Sequence, residues 1–344
     1  MIGYPSDFLI DIMGICNLKC RFCPQGQNIN HQPKKRLSLS GFKKLSESIL
    51  PYAKKITFSN WSEPLLNRDI FGIISHIKSH SKDTIVGTSS NANYFSEDMA
   101  ELLVKSKMDW LFISISGTEN EVYQRYHRGG DINKVYETLT YLCEFKNRSG
   151  SRNPSIHIGY LQFPFNYTSL KDLKRTLREK LKDDDLFDQI DEIVLNYGSL
   201  TGSNLPLPKR KNHYGDIALS KNPTYLKGEC TRAFSQPAIR CDGAVFPCCA
   251  IVYDSKYSFG NLNHETFEAI WNNGKYSMFR SQFQEGTNQI CNNCVLYYPK
   301  YEIKFNRLIL HQIKANYWWR KHLLRQYLIR HNLIPKGILK GDSI

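Results

Sequence analysis

The chain has 344 residues, of which 41% are apolar and 12% aromatic, enough for one large catalytic domain with a smaller appendage. No signal peptide is recognisable and no apolar run of about 18 residues is present, so we expect a cytoplasmic protein without a membrane span. The net charge of +14 does not indicate nucleic-acid binding, because half of it lies in residues 301–344 and no RNP1-like signature appears.

Short β-branched or aromatic runs alternate with amphipathic stretches from Phe8 to about Gly198. The predicted strands are Phe8–Met13, Lys55–Ser59, Thr84–Ser89, Trp110–Ser116, Ser155–Phe163 and Glu192–Tyr197. Helices are predicted near 40–50, 69–80, 97–107, 132–147 and 169–182, with Ser96 and Ser169 in N-cap positions. Six strand–helix repeats indicate parallel strands, in a doubly wound sheet or a full or partial β/α barrel, with ligands at the carboxyl edge.

The rest of the chain divides into three further segments. Residues 199–228 lack periodicity and are rich in Gly, Ser, Asn, Pro and Lys, which predicts a linker or a substrate-facing segment after a core of 1–198. A cysteine-rich module follows at 229–297, and a basic helical tail at 298–344. Clustered cysteines in a reducing compartment indicate metal binding or catalysis rather than disulfides.

The first cysteine cluster comes directly after the first predicted strand. Cys16, Cys20 and Cys23 have the spacing C-x3-C-x2-C, so their thiolates can hold three irons of a [4Fe–4S] cube and leave the fourth iron open. An open coordination position is typical of a catalytic rather than a structural metal site. Zinc binding and a purely structural iron–sulfur site are the alternatives.

The octapeptide Cys16-Asn17-Leu18-Lys19-Cys20-Arg21-Phe22-Cys23 resembles the signature of the radical S-adenosylmethionine (SAM) superfamily. The resemblance implies a partial (β/α)6 barrel, SAM chelated to the open iron, and Phe22 near the adenine. It also implies reductive cleavage of SAM to a 5′-deoxyadenosyl radical, with electrons from an external reductant such as flavodoxin or ferredoxin.

Three further segments resemble motifs of the same family. Glu63, in Asn60-Trp61-Ser62-Glu63-Pro64, would pair with the SAM ammonium, although Trp61 and Ser62 replace glycines. Ser89 and Asn91 would lie near the ribose. Ser114 belongs to a Ser-Ile-Ser-Gly segment in which Ser116 replaces an aspartate, and Arg128 would reach the SAM carboxylate. Each of these polar residues is also a common turn former or helix cap.

The second cysteine cluster resembles a SPASM domain in its shortened twitch form. Ile239–Cys248 is predicted to form a β-hairpin with an Asp-Gly turn, and Cys291 and Cys294 form a C-x2-C pair. The resemblance assigns Cys230, Cys248, Cys291 and Cys294 to an auxiliary [4Fe–4S] cluster, with Cys249 as a substitute for Cys248. Structural zinc is the alternative, and Cys143 is predicted to be a buried core thiol.

The spacing of these four cysteines, with seventeen residues between the first two and a terminal C-x2-C pair, resembles the twitch of 2-deoxy-scyllo-inosamine dehydrogenases, which implies a single auxiliary cluster. It implies an oxidoreductase that oxidises a secondary alcohol of a sugar, cyclitol or glycan, with the auxiliary cluster as electron acceptor. Fifteen residues precede Cys16 and no cysteine follows Cys294, which makes peptide crosslinking or epimerisation the less favoured alternative. A non-catalytic iron–sulfur electron carrier is the second alternative.

The tail from Tyr301 to about Ile334 is predicted to be helical, with an apolar stripe and a basic face. One interpretation is an interfacial helix that holds the protein at anionic lipid on the inner membrane face. The favoured interpretation is a helix that packs across the catalytic domain with a solvated basic face.

Overall fold

Strands and helices alternate along the first half of the computed structural model, which describes residues 3–21, 23–28, 30, 32–163, 165–197, 232–249, 251, 254–288 and 291. The strands of this half are β1 (Asp7–Ile10), β2 (Lys55–Thr57), β3 (Ile85–Ser90), β4 (Trp110–Ile115), β5 (Ser155–Gln162) and β6 (Ile190–Tyr197). All six correspond to predicted strands. The first is shorter than predicted, because Met13 leaves the sheet to bridge Arg36.

The six strands pair in the order β6-β5-β4-β3-β2-β1, each parallel to its neighbour. On its other side β1 pairs with a later strand and not with β6, so the barrel is open. The register places Ser89 opposite Phe112 and Ser114 opposite Gly159, which puts Ser89 and Ser114 on the same face of the sheet. This is the predicted partial (β/α)6 barrel.

Helices cover the outer face of the sheet. They are α1 (Leu39–Ile49), α2 (Ile70–His80), α3 (Glu97–Lys105), α4 (Asn120–Tyr123), α5 (Ile132–Ser149), α6 (Leu170–Leu181) and α7 (Asp184–Phe187). The Ser169 hydroxyl accepts the Asp172 N–H at 3.1 Å and caps α6 as predicted, whereas the Ser96 hydroxyl donates to the Asp98 carboxylate. Cys143 is fully buried in α5, as predicted for a core thiol.

The C-terminal module extends the same sheet beyond β1. Its strands are β7 (Ala238–Ile239), β8 (Ala244–Phe246) and β9 (Gly260–Asn261), and its helices are α8 (Arg232–Ser235), α9 (Phe267–Trp271) and α10 (Gly274–Glu285). Strand β7 is parallel to β1 and antiparallel to β8, which confirms the predicted hairpin. Its turn needs Gly243, whose φ of +84° favours glycine.

Several predicted segments lie outside the described residues: the linker at 199–228, the tail at 298–344, Phe22, Cys230 and Cys294. Within the described part of the chain, no helix is both long enough and apolar enough to cross a membrane.

A buried ion pair joins Lys78, on α2, to Asp109, the residue before β4. The Lys78 ammonium contacts the Asp109 carboxylate and donates to the Thr84 carbonyl at 2.8 Å, and the same carboxylate accepts the Val86 N–H. The two side chains are only 9% and 12% exposed. Removing one partner of such a pair leaves a buried charge without its counter-ion.

We therefore expect Lys78→Met to lower the free energy of unfolding by about 3 kcal/mol, because Asp109 would keep its charge in a buried site. Urea denaturation of the apoprotein, followed by far-UV circular dichroism, measures this. Lys78→Met/Asp109→Asn should recover part of the loss. The control is Lys105→Met, which breaks the exposed i,i+4 pair with Glu101 and should have little effect. Equal effects of the two Lys→Met changes would contradict the expectation.

Candidate active site

The carboxyl edge of the sheet brings together side chains that are far apart in sequence. Asp11 follows β1, Glu63 follows β2, Asn91 follows β3 and Ser116 follows β4. All four are less than a tenth exposed. Because the carboxyl ends of parallel strands meet at one edge, these side chains and the cysteine loop after β1 form one site.

The cysteine loop is pinned by backbone hydrogen bonds to the turn after α4. The Lys19 N–H donates to the Arg128 carbonyl and the Arg21 N–H to the Tyr126 carbonyl, both at 2.9 Å. A Cβ atom at Gly26 would lie 2.5 Å from the backbone nitrogen and oxygen of Cys20, so only glycine allows this loop to close on itself. The hydrogen bonds and this close approach therefore both fix the middle of the loop, around Cys20.

The three thiols of this loop are partly buried. Burial, together with the charge of Glu63, raises the pKa of Cys16 to about 12. The pKa of Cys20 is raised by burial and by the two neighbouring cysteines, and that of Cys23 is also raised by burial. Only the thiolate binds metal, so loading this loop must displace protons. Among the described residues, no three Cys, His, Asp or Glu side chains converge as ligands of a single ion would.

Glu63 is a buried carboxylate, 3% exposed. Its Oε1 accepts the Ser90 hydroxyl at 2.8 Å and the Leu65 N–H at 3.1 Å, and its Oε2 accepts the Asn91 N–H at 2.8 Å. No Lys, Arg or His among the described residues forms an ion pair with it. Burial raises the pKa of Glu63 to about 7, against the lowering effect of these three hydrogen bonds.

Asn91 connects Glu63 to the cysteine loop. Its backbone N–H donates to Glu63, while its side-chain amide donates to the Asn17 side chain at 2.9 Å and lies 3.7 Å from the Cys16 sulfur. Asn93 extends this connection, because its amide nitrogen donates to the Tyr123 hydroxyl at 2.8 Å. Two of the predicted SAM contacts, Glu63 and Asn91, are thus brought together beside Cys16.

The other predicted SAM contacts that the structure describes are Ser89, Ser114 and Arg128. Ser89 and Ser114 are half-buried on the inner face of the barrel, and neither is hydrogen-bonded to Glu63. Arg128 is exposed and lines a cleft of about 560 Å³ together with Lys19, Arg21 and Cys20. The described residues of its lining include basic side chains and no acidic ones, so they present positive charge next to the cysteine loop.

The sequence did not point to several residues of this site. Ser90, next to the predicted Ser89, is the serine that donates to Glu63. Tyr126 packs 4.7 Å from the His127 ring, and its pKa is raised by burial and by the charges of Cys20, Cys23 and Cys16. Tyr126 follows no recognisable motif, and Ser90 differs from Ser89 only in the face of the strand that it occupies.

His127 is a further residue of the site that the sequence did not point to, and its side chain is only 2% exposed. Its Nδ1 lies 2.7 Å from the Ser116 hydroxyl and its ring stacks on Tyr123 at 4.5 Å. Burial lowers the pKa of His127 to about 3, so the imidazole is neutral. Ser116 therefore ties the end of β4 to the turn that holds the cysteine loop.

In the C-terminal module, Cys248 and Cys291 are the two predicted ligands that the structure describes. Cys248 is half-buried, and its charge contributes to the raised pKa of Tyr276, after burial. The Cys291 N–H donates to the Asn288 side chain at 3.2 Å. Cys249 is 8% exposed, and its sulfur accepts a hydrogen bond from Arg232 at 2.9 Å. The two neighbouring cysteines thus have different surroundings.

Comparison with known families agrees with this geometry. Residues 10–177 match the radical SAM superfamily, and residues 230–295 match SPASM, an iron–sulfur cluster-binding domain. The chain belongs to the radical SAM superfamily and carries a SPASM domain. It is therefore a radical SAM enzyme, whose family uses a [4Fe–4S] cluster and SAM, and whose SPASM domains bind auxiliary iron–sulfur clusters. Radical SAM enzymes act on small-molecule or peptide substrates and receive electrons from external reductants.

Two curated proteins illustrate the range of relatives. The chain is 22% identical over 314 residues to the tungsten-containing aldehyde ferredoxin oxidoreductase cofactor-modifying protein of Pyrococcus furiosus, covering 83% of this chain and 86% of that protein. It is 27% identical over 132 residues to GTP 3′,8-cyclase of Clostridium botulinum, but that match spans 38% of this chain and 41% of the cyclase.

Solved structures share the fold at low sequence identity. BtrN, in complex with AdoMet and 2-DOIA, is 16% identical and has a TM-score of 0.53, covering 89% of this chain and 98% of BtrN. The histidine-tagged form of anSMEcpe with bound AdoMet is 15% identical with a TM-score of 0.56, covering 96% of both chains. SuiB of Streptococcus suis is 15% identical with a TM-score of 0.51, covering 81% of this chain and 68% of SuiB.

We expect Gly26→Ala to abolish iron binding at the cysteine loop, because the added methyl group would displace the Cys20 backbone. After anaerobic reconstitution, the variant should bind about four irons per chain fewer than the wild type. Iron and sulfide analysis measures this, with circular dichroism to check the fold. Gly274→Ala is the control, since a Cβ there meets open space. Full iron content in Gly26→Ala would contradict the role given to this glycine.

A second expectation concerns Glu63 and pH. If its carboxylate receives the SAM ammonium, binding releases a proton below the pKa of about 7, so affinity rises with pH. We expect about a tenfold rise per unit between about pH 5.5 and 7, levelling off above it until the ligand's own amino group titrates near about pH 8. Anaerobic equilibrium dialysis with labelled SAM measures the affinity.

Glu63→Gln should bind SAM weakly and without this pH dependence. Glu97→Gln, at an exposed position on α3, is the matched control and should retain it. A pH profile in Glu63→Gln that equals the wild-type profile would rule out the ammonium contact.

Proposed function

We propose that this enzyme oxidises a secondary alcohol of a sugar, cyclitol or glycan, and that Cys230, Cys248, Cys291 and Cys294 hold one auxiliary [4Fe–4S] cluster as the electron acceptor. The observation that carries the proposal is the cysteine count and spacing of the module: seventeen residues between the first two ligands and a terminal C-x2-C pair. This supplies four thiolates, the number that one fully ligated cluster takes.

The described part of the module supports Cys248 rather than Cys249 as the ligand. Cys249 is buried in an apolar cluster, and its sulfur is already hydrogen-bonded to Arg232. Cys248 is half-buried and close enough to Tyr276, in the first turn of α10, for its charge to contribute to the raised pKa of that tyrosine. We propose that the two cysteines divide their roles accordingly, with Cys248 on the metal and Cys249 in the packing of the module.

In the first site, we propose that Cys16, Cys20 and Cys23 hold the SAM-binding cluster. Glu63 would then bind the SAM ammonium, Asn91 and Ser89 would lie at the ribose, and Arg128 would bind the carboxylate. The donor chemistry fits: three thiols share one loop, and beside them lies a buried carboxylate that has no ion-pair partner among the described residues. When bound, the cluster and SAM supply the 5′-deoxyadenosyl radical.

The proposed reaction balances as a two-electron oxidation. With both clusters and SAM bound, the hydrogen atom of the carbinol carbon would be lost to 5′-deoxyadenosine, leaving a substrate radical. The hydroxyl proton would leave to water and the remaining electron would pass to the auxiliary cluster, so that a C=O bond replaces the C–H and O–H bonds. The fold likeness to BtrN, which binds 2-DOIA, is consistent with such a substrate.

Anaerobic turnover with candidate polyols and a flavodoxin or ferredoxin reductant tests the proposal. We expect 5′-deoxyadenosine and ketone in equal amounts, measured by liquid chromatography with mass detection, because each turnover removes one hydrogen atom and one further electron. Cys20→Ala should form neither product, which controls for cleavage without a cluster. An epimerised alcohol with no ketone would show the reaction to be something other than oxidation.

Peptide or protein modification is the second candidate. It is favoured by the fold likeness to anSMEcpe, which has been solved with AdoMet and the Cp18Cys peptide, at a TM-score of 0.54 and 17% identity. A mass change in a peptide substrate, with no polyol oxidised under the same conditions, would select this candidate.

A further inference from the structure

Trp61 occupies a position where the family motif has glycine, and its two polar groups have different partners. Its backbone N–H donates to Asp11 Oδ2 at 3.1 Å, and the neighbouring Ser62 hydroxyl donates to Asp11 Oδ1 at 2.8 Å. Asp11 is fully buried at the end of β1. The loop that carries Glu63 is therefore fastened to β1 immediately before the cysteine loop.

The indole of Trp61 contacts the C-terminal module. Its Nε1–H donates to the carbonyl of Ile251 at 3.2 Å, three residues after Cys248. The ring packs on an apolar cluster formed by Leu9, Ala238, Ala244, Phe246, Cys249 and Ile251, and Cys248 packs on the same cluster. A glycine would leave that space empty and the Ile251 carbonyl without this donor.

A second contact between the same two parts comes from the sheet. The Asp11 N–H donates to the Ile239 carbonyl at 2.8 Å, which continues the pairing of β1 with β7. Asp11 therefore holds the module through its backbone and the Trp61–Ser62 loop through its side chain. Trp61 adds a third contact, because its indole donates to Ile251, which follows the adjacent pair Cys248 and Cys249.

We propose that Trp61 is a positioning residue that fixes the Cys248–Cys249 segment against the loop carrying Glu63, and so sets the placement of the auxiliary cluster relative to the SAM site. The inference rests on the proposed assignment of Cys248 as a cluster ligand. It does not require the substrate to be an alcohol. The coupling depends on an indole at a position where the family motif has glycine.

Two variants of the cluster-loaded enzyme test this. Trp61→Ala removes both the packing and the indole hydrogen bond, whereas Trp61→Phe removes the hydrogen bond but retains an aromatic ring and much of the packing. Redox titration followed by electron paramagnetic resonance reads out the auxiliary cluster, and the ratio of 5′-deoxyadenosine to product reads out turnover. Trp110→Phe is the control, because Trp110 lies at the start of β4, where its ring covers Gly87.

We expect Trp61→Ala to keep its SAM-cluster signal, to shift the spectrum and reduction potential of the auxiliary cluster, and to raise the ratio of 5′-deoxyadenosine to product about tenfold. Trp61→Phe should show the same changes in smaller size, and Trp110→Phe none in the spectrum. Should Trp61→Ala fail to fold, the Trp61→Phe spectrum decides.

An auxiliary-cluster spectrum and potential identical to wild type in both Trp61 variants would overturn the inference, even if the enzyme forms ketone. Conversely, a shifted spectrum in an enzyme that forms no ketone would uphold the role of Trp61 and count only against alcohol oxidation. The two proposals therefore fail separately.

Discussion

The candidate site depends on the hydrogen bonds that hold the buried carboxylate of Glu63. Its oxygens accept hydrogen bonds from its own loop at Leu65 and from the end of β3 at Ser90 and Asn91, and Asn91 in turn holds Asn17 in the cysteine loop. Burying a carboxylate without a cation costs free energy, and the raised pKa of Glu63 expresses that cost. A bound cation would lower that cost, which is the physical basis of the role proposed for Glu63.

Asp11, at the neighbouring strand end, is a buried carboxylate used in a different way. It accepts hydrogen bonds from Trp61, Ser62 and Gln32, which come from two separate loops. These donors satisfy the Asp11 oxygens within the protein, so the Asp11 side chain joins the loops that carry them. The carboxyl edge of the sheet thus has two buried acidic side chains. Asp11 joins neighbouring loops, and Glu63 is held in place by hydrogen bonds from neighbouring residues.

The sequence predicted the barrel because its strand–helix alternation is regular, and it predicted the cysteine loop because the spacing of three thiols is distinctive. It could not decide between Ser89 and Ser90, since strands buried on both faces lack the polar–apolar alternation that would assign a side. Asp11 is a lone acid after a strand, without a motif around it. Trp61 was visible only as a departure from a glycine motif, and its partner Ile251 lies 190 positions away. Long-range contacts of this kind leave no local signal.

An open barrel exposes the outer edge of its first strand, and an unpaired edge is prone to aggregation. Here β7 pairs with that edge, so the barrel depends on the C-terminal module to satisfy the backbone hydrogen-bonding groups of β1. The dependence is mutual, because strands of two and three residues are too short to be stable alone. Cys248 comes two residues after β8, which belongs to the same sheet as β1. Its distance from the cysteine loop is therefore set by sheet hydrogen bonds and by Trp61, and not by the length of the segment that connects the two parts in sequence.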